Sequence, residues 1–175
     1  RGRLGKPVIS FDLSAGMLQQ AARKLRSGLT RPGVALDLTN LIKCDALALP
    51  FAAQSFDAVF ISHVLTTVPE PCQALREALR VARHSARLAL VNHFKCPYAP
   101  LGWLEAAVDP ICRHLGWRSD LSLSDLLGPV GIRHIRHPRG LLFQTVFLEQ
   151  RNHQLCVVHP RELEDSGGLQ PSFAP

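Results

Sequence analysis

The stretch Val8-Ile9-Ser10-Phe11-Asp12, followed at once by Leu13-Ser14-Ala15-Gly16-Met17-Leu18, limits what this chain can fold into more than any other. A short apolar run ends on a carboxylate, and Ser14 stands ready to cap a helix N-terminus directly after it. In an open α/β sheet, ligands bind in the crevice beyond the carboxyl ends of the strands. Asp12 is expected at such an end, where its carboxylate can accept both hydroxyls of a ribose. Only seven residues precede Val8, so no glycine-rich strand-to-helix turn stands upstream. The chain reads as part of a nucleotide-type site whose first piece is missing.

The rest of the pattern supports an α/β fold. Met17, Leu18, Ala21, Ala22 and Leu25 share one face of a helix from Ser14 to about Leu25. Gly28 ends that helix, and Arg31-Pro32-Gly33 makes a turn. A weaker strand is expected within Leu38–Cys44, then a loop through Asp45, Ala46, Pro50 and Gln54-Ser55. Asp57–Ser62 is a near-continuous apolar run and reads as a buried strand of a parallel sheet. A helix from about Cys72 to Arg83 turns Ala74, Leu75, Ala78, Leu79 and Ala82 inward, and Ala86–His93 reads as the next strand. Strands alternating with such helices imply βαβ units, a mostly parallel sheet and helices on both faces.

The C-terminal part has a different character. Leu101 to Leu115 is expected to be a helix with Trp103, Ala107, Ile111 and Leu115 at helical spacing, and Ser122–Leu127 a short one. Gly131–His137 and Gly140–Glu149 read as two strands joined at Pro138-Arg139, an antiparallel hairpin at the sheet edge. From about His153 the period is lost, which divides the chain into a domain over 1–152 and a loose tail over 153–175.

Composition excludes several classes. Hydrophobic residues make up 46% and charged residues 19%, as in a globular domain rather than a disordered chain. No apolar run approaches the ~20 residues of a spanning helix, and the first residues lack the apolar core of a signal peptide. Cys44, Cys72, Cys96, Cys112 and Cys156 are odd in number and contain no C-x-x-C pair. That argues against a disulfide framework or a zinc site, and for a reduced, cytoplasmic protein with no metal. The formal charge of +6 comes without stacking or zinc-finger motifs, so no nucleic-acid partner is expected. Arg1, Arg3, Lys6, Arg23, Lys24, Arg26 and Arg31 make the N-terminal section basic, which suits peripheral contact with an anionic inner-membrane surface.

Four stretches in order now carry a resemblance: Phe11-Asp12-Leu13-Ser14 with Met17-Leu18; Asp45-Ala46 with Leu49-Pro50-Phe51; Ser55-Phe56-Asp57-Ala58-Val59; and Val68-Pro69-Glu70-Pro71 with Glu77 and Arg80-Val81. Together they resemble class I S-adenosylmethionine-dependent methyltransferases, in the branch that methylates quinone precursors and phospholipids. The resemblance runs from about Val8 to His93 and more loosely to Glu149. Val91-Asn92-His93-Phe94, the helix around Trp103 and Leu115-Gly116-Trp117-Arg118 look like bacterial phosphatidylethanolamine N-methyltransferases. The resemblance implies a Rossmann-like sheet and S-adenosylmethionine as cofactor. It carries Asp12 onto the ribose hydroxyls, Met17 onto the adenine, Asp45 and the Ala46 N–H onto the adenine edge, and Ser62 onto the amino-acid part. Each has a plainer reading: Asp12 as a helix cap, Met17 as core, Asp45 as a turn residue, Ser62 as a local hydrogen bonder.

For an amine acceptor, a base must take a proton before the nitrogen lone pair can attack. His93 and His63 each follow a strand toward the same crevice and are the candidates; Tyr98, five residues past His93, can share the task. Either histidine can equally be a solvent-facing strand-end residue. The family's central strand and its GxGxG turn are missing before Val8, which implies two strand edges roughly 10 Å apart. The expected function is N-methylation of phosphatidylethanolamine. The alternatives are C-methylation of a quinone precursor, or a truncated, non-catalytic remnant acting as an interaction module.

Overall fold

The computed structural model describes residues 8–27, 40–94, 107, 109–112, 114, 116, 118, 120–131, 144–151 and 154–158. Its backbone contacts divide the chain into two compact units, Arg1–Pro50 and Phe51–Pro175.

The first unit holds β1 (Ser10–Asp12), α1 (Ala15–Arg26) and β2 (Leu41–Lys43). β1 and β2 pair in parallel, with Asp12 opposite Lys43. The helix starts where Ser14 Oγ accepts the Met17 N–H at 3.3 Å, satisfying a donor that has no partner within the helix. Arg23, Lys24 and Arg26 in the last turn favour its negative dipole end. Leu18, Ala21, Ala22 and Leu25 are half-buried along the expected face, but Met17 is 54% exposed. Val8 and Ile9 lie exposed ahead of β1 rather than within it.

The second unit holds β3 (Phe56–Ser62), α2 (Pro71–Val81), β4 (Ala82–Asn92), α3 (Leu123–Leu127), a 3₁₀ turn (Gly128–Val130), β5 (Gln144–Arg151) and β6 (Gln154–Val158). The four strands form one sheet in the order β3-β4-β5-β6. β3 and β4 are parallel, and the β4–β5 and β5–β6 pairs are antiparallel. Pro71 begins α2 at a position whose N–H has no helical partner anyway. The chain then passes from Val81 straight into β4, because Ala82 is already extended. Leu88 sits opposite Leu148 and Leu90 opposite Val146. These four side chains are buried, as are Leu75 of α2 and Leu126 and Leu127 of α3. Full burial of each such residue contributes about 1.5–3 kcal/mol.

Three expectations are corrected here. The apolar run of β3 is not buried throughout: Phe60 is 59% exposed and Ala58 is also exposed. Among the described residues β3 pairs with β4 alone, so one edge and one face lack the cover that a central strand has. Among the described residues an antiparallel hairpin joins β5 and β6. Its second strand falls in the stretch read as a loose tail, where Val157 and Val158 complete the edge of β5. Gly131 closes the 3₁₀ turn, and residues 132–143, which hold nearly all of the expected first strand Gly131–His137, the Pro138-Arg139 turn and the start of the second strand, lie outside the described residues. Residues 107, 109–112 and 114 are helical, within the stretch expected to be so. The inward face differs, however: Ile111 is 64% exposed, while Asp109 and Cys112 are buried. Spacing alone picked the apolar residues, and the buried face is set by a different side of the turn.

Candidate functional site

In the first unit, the parallel ladder carries Asp12 and Asp45 to neighbouring strand tips. The Cys44 N–H donates to the Asp12 carbonyl at 3.2 Å, one step past the last β1–β2 pair, and Asp45 follows. Each carboxylate uses Oδ1 to brace its own turn. Asp12 Oδ1 accepts the Ser14 N–H at 2.7 Å, and Asp45 Oδ1 accepts the Leu47 N–H at 2.9 Å. Both carboxylates thus form local turn bonds, while the cap of α1 is Ser14 rather than Asp12. Neither carboxylate makes another hydrogen bond or ion pair among the described residues, so one oxygen of each is left to accept from a ligand. Met17 presents its thioether from the first turn of α1, exposed to solvent, and Ala46 directly follows Asp45. Two acceptor oxygens and a polarizable apolar side chain suit the hydroxyls, amine and ring of an adenosyl group.

Cys44 lies between the two carboxylates in sequence. Burial pushes its thiol above the ordinary range, and the Asp45 charge pushes it further. It is therefore a poor nucleophile at neutral pH.

In the second unit, Ser62 ends β3 opposite Val91 of β4. His63 follows Ser62 and donates its backbone N–H to the Val91 carbonyl at 2.8 Å. His93 follows Asn92, the last residue of β4. The structure thus brings Ser62, His63 and His93 to one carboxyl edge, with His63 exposed and His93 half-buried. His63 has φ of +56°, a left-handed conformation uncommon for a residue with a Cβ. Such a residue stores about 1–3 kcal/mol of strain, of the kind that concentrates at binding and catalytic sites.

At the opposite end of β3 and β4 a set of arginines fixes the chain. Arg80 forks onto Glu77 through Nε and Nη2, both at 2.8 Å, and donates Nη1 to the Phe51 carbonyl at 2.8 Å. Arg83 donates Nε to the Gln54 carbonyl at 3.2 Å and pairs with Asp57. The Gln54 and Ser55 N–H groups donate to the Arg80 and Val81 carbonyls at 2.9 and 2.8 Å. The Glu77 and Arg80 of the fourth resemblance stretch thereby hold the start of β3.

Asp12, Met17, Asp45 and Ala46 lie in one unit and Ser62, His63 and His93 in the other. Tyr98 and the Trp103 segment lie outside the described residues. One residue at the second edge was not singled out from the sequence: Asn92, 1% exposed, whose Nδ2 donates to the His93 carbonyl at 3.0 Å. The signal was available in the alternation Ala86, Leu88, Leu90, Asn92, where one polar residue continues an inward apolar stripe.

Residues 2–90, half of the chain, match the family described as a methyltransferase domain. A demethylmenaquinone methyltransferase of Thermobifida fusca is 40% identical over 121 residues, covering 69% of this chain and 44% of its own length. A phosphatidylethanolamine N-methyltransferase of Cereibacter sphaeroides is 32% identical over 116 residues, covering 66% and 55%. The chain thus spans about half the length of these two relatives. Among solved structures, a SAM-dependent methyltransferase from Methanosarcina mazei superposes with a TM-score of 0.58 at 20% identity, covering 82% of this chain and 81% of that one. One from Aquifex aeolicus gives 0.52 at 21%, covering 81% and 67%. These likenesses support the Rossmann-like α/β fold, and with the sequence match they place the chain in the class I S-adenosylmethionine-dependent methyltransferase family.

Proposed function

We propose that this protein N-methylates phosphatidylethanolamine with S-adenosylmethionine as donor. The placement of His63 and His93 just past adjacent strand tips supports a methyl transfer that needs a base, and the lipid acceptor rests on the likeness to the Cereibacter relative. The cofactor supplies an electrophilic methyl group on a sulfonium. In the first unit Asp12 accepts from the ribose hydroxyls, Asp45 and the Ala46 N–H meet the adenine edge, and Met17 packs on the ring. His93 takes the proton of the incoming ammonium, which frees the nitrogen lone pair to attack, and His63 orients the headgroup. Arg23, Lys24 and Arg26 at the exposed end of α1 favour an anionic lipid surface by about 1 kcal/mol each at most. No helix among the described residues is long and apolar enough to cross a membrane, so lipid would be met at the surface.

C-methylation of a quinone precursor is the second reading, favoured by the 40% identity to the Thermobifida relative. It too requires removal of an acidic proton before carbon attack, so the same histidines serve it. The test is transfer of radiolabelled methyl from S-adenosylmethionine to phosphatidylethanolamine in mixed micelles, run beside demethylmenaquinol. Label in the monomethylated lipid, reduced about 10²-fold or more by His93→Ala, supports the proposal. Label in the quinol alone replaces it with the second reading, and label in neither removes both.

A further inference from the structure

We infer that Asn92 is a positioning residue for His93, an inference that rests on the reading of the β3–β4 tips as the acceptor side of a methyltransferase. Ala86, Leu88, Leu90 and Asn92 alternate inward along β4, and all four are buried. An apolar residue at 92 would continue the stripe. The asparagine instead places a primary amide there with only one end used. Its Nδ2 donates to the His93 carbonyl at 3.0 Å, while Oδ1 is buried without a hydrogen-bond partner. A buried acceptor left unsatisfied loses more on desolvation than one neutral hydrogen bond typically returns. Asn92 is therefore not explained by stability, and an unsatisfied buried group calls for another account.

The bond that Asn92 does make supplies one. β4 ends at Asn92, and the His93 carbonyl belongs to the first peptide beyond it. Holding that oxygen sets the backbone torsion of His93 and with it the direction in which the imidazole leaves the strand. On the neighbouring strand, the His63 N–H bonded to the Val91 carbonyl does the equivalent for His63. Both histidines thus have a backbone atom held just past a strand tip.

The test compares Asn92→Leu and Asn92→Asp with the wild-type full chain by thermal unfolding, histidine ring NMR and methyl transfer to phosphatidylethanolamine micelles. In Asn92→Leu the Tm holds or rises by about 2–4 °C, and the His93 ring signal shifts or splits. His84, near the start of β4, is unchanged. Its kcat falls about tenfold or more with KM for the lipid unchanged, an interaction lost only in the transition state. Asn92→Asp keeps the shape but turns an oxygen toward the His93 carbonyl, so the His93 signal moves likewise while Tm falls. A lower Tm in Asn92→Leu with the His93 signal in place makes Asn92 merely structural and overturns the inference, as does an unmoved His93 signal in both variants. A wild-type chain that transfers no methyl group refutes the proposed function instead, and the NMR and Tm results still decide the role of Asn92.

Discussion

His63 offers a direct test of the strand-tip geometry, through the pair His63→Gly and His63→Ala. Both variants delete the imidazole and every contact it makes, and both keep the N–H that donates to the Val91 carbonyl at 2.8 Å. They differ only in whether a Cβ must sit at φ of +56°. A left-handed residue with a Cβ is disfavoured by about 1–2 kcal/mol, whereas glycine loses about 0.5–1 kcal/mol more backbone freedom on folding than alanine. The difference leaves the glycine variant more stable by about 0.5–1 kcal/mol. For a domain of this size that is a gap of about 1–4 °C in Tm, within reach of calorimetry or urea titration. An alanine variant as stable as the glycine variant, or more so, would mean that the left-handed turn after β3 is not populated, and the common edge shared by Ser62, His63 and His93 would fall with it. Under the proposed function both variants also lose headgroup orientation and turn over more slowly.

Two further outcomes follow from the packing and the charges. Leu90→Ala removes a fully buried side chain that faces Val146 across the β4–β5 pair, and should cost about 2–5 kcal/mol by urea unfolding; a loss under about 1 kcal/mol would mean that this face is not packed. Since burial and the Asp45 charge both raise the Cys44 thiol, less thiolate is present at a given pH, and Cys44 should react with iodoacetamide at pH 8 more slowly than a free thiol. Asp45→Asn removes the second cause and should speed that reaction without matching the free thiol; an unchanged rate would show that the carboxylate does not lie beside Cys44.

The elements set by local chemistry were legible in the sequence. Ser14 starts α1 where its hydroxyl can cap, Pro71 starts α2, and the alternation from Ala86 to Asn92 marks β4. Asp12, Asp45, Ser62, His63 and His93 could each be placed at or just past a strand's carboxyl end, because a strand's end is a local property. What depends on neighbours was not legible. The run from Phe56 to Ser62 looks the same whether or not its faces are covered, and the exposure of Phe60 shows a face without cover. Likewise Ile111 and Cys112 fit a helical stripe about equally well, and in the fold Cys112 is the one turned inward. Val157 and Val158 form a strand only because β5 offers an edge to pair with. The backbone of His63 leaves no mark in the pattern of apolar residues, and although Asn92 stands out as the polar member of an inward stripe, only the folded strand shows which atom its amide holds.

The central claim is that two strand-tip carboxylates of the first unit grip an adenosyl group, and calorimetric titration of S-adenosylmethionine into wild type, Asp12→Ala and Asp45→Ala measures it most directly. Loss of a hydrogen bond to a charged group is worth about 1.5–3 kcal/mol, so each variant should bind about 10–150-fold more weakly than wild type. Equal affinity in all three proteins, or no heat from folded wild type at millimolar ligand, would contradict the account.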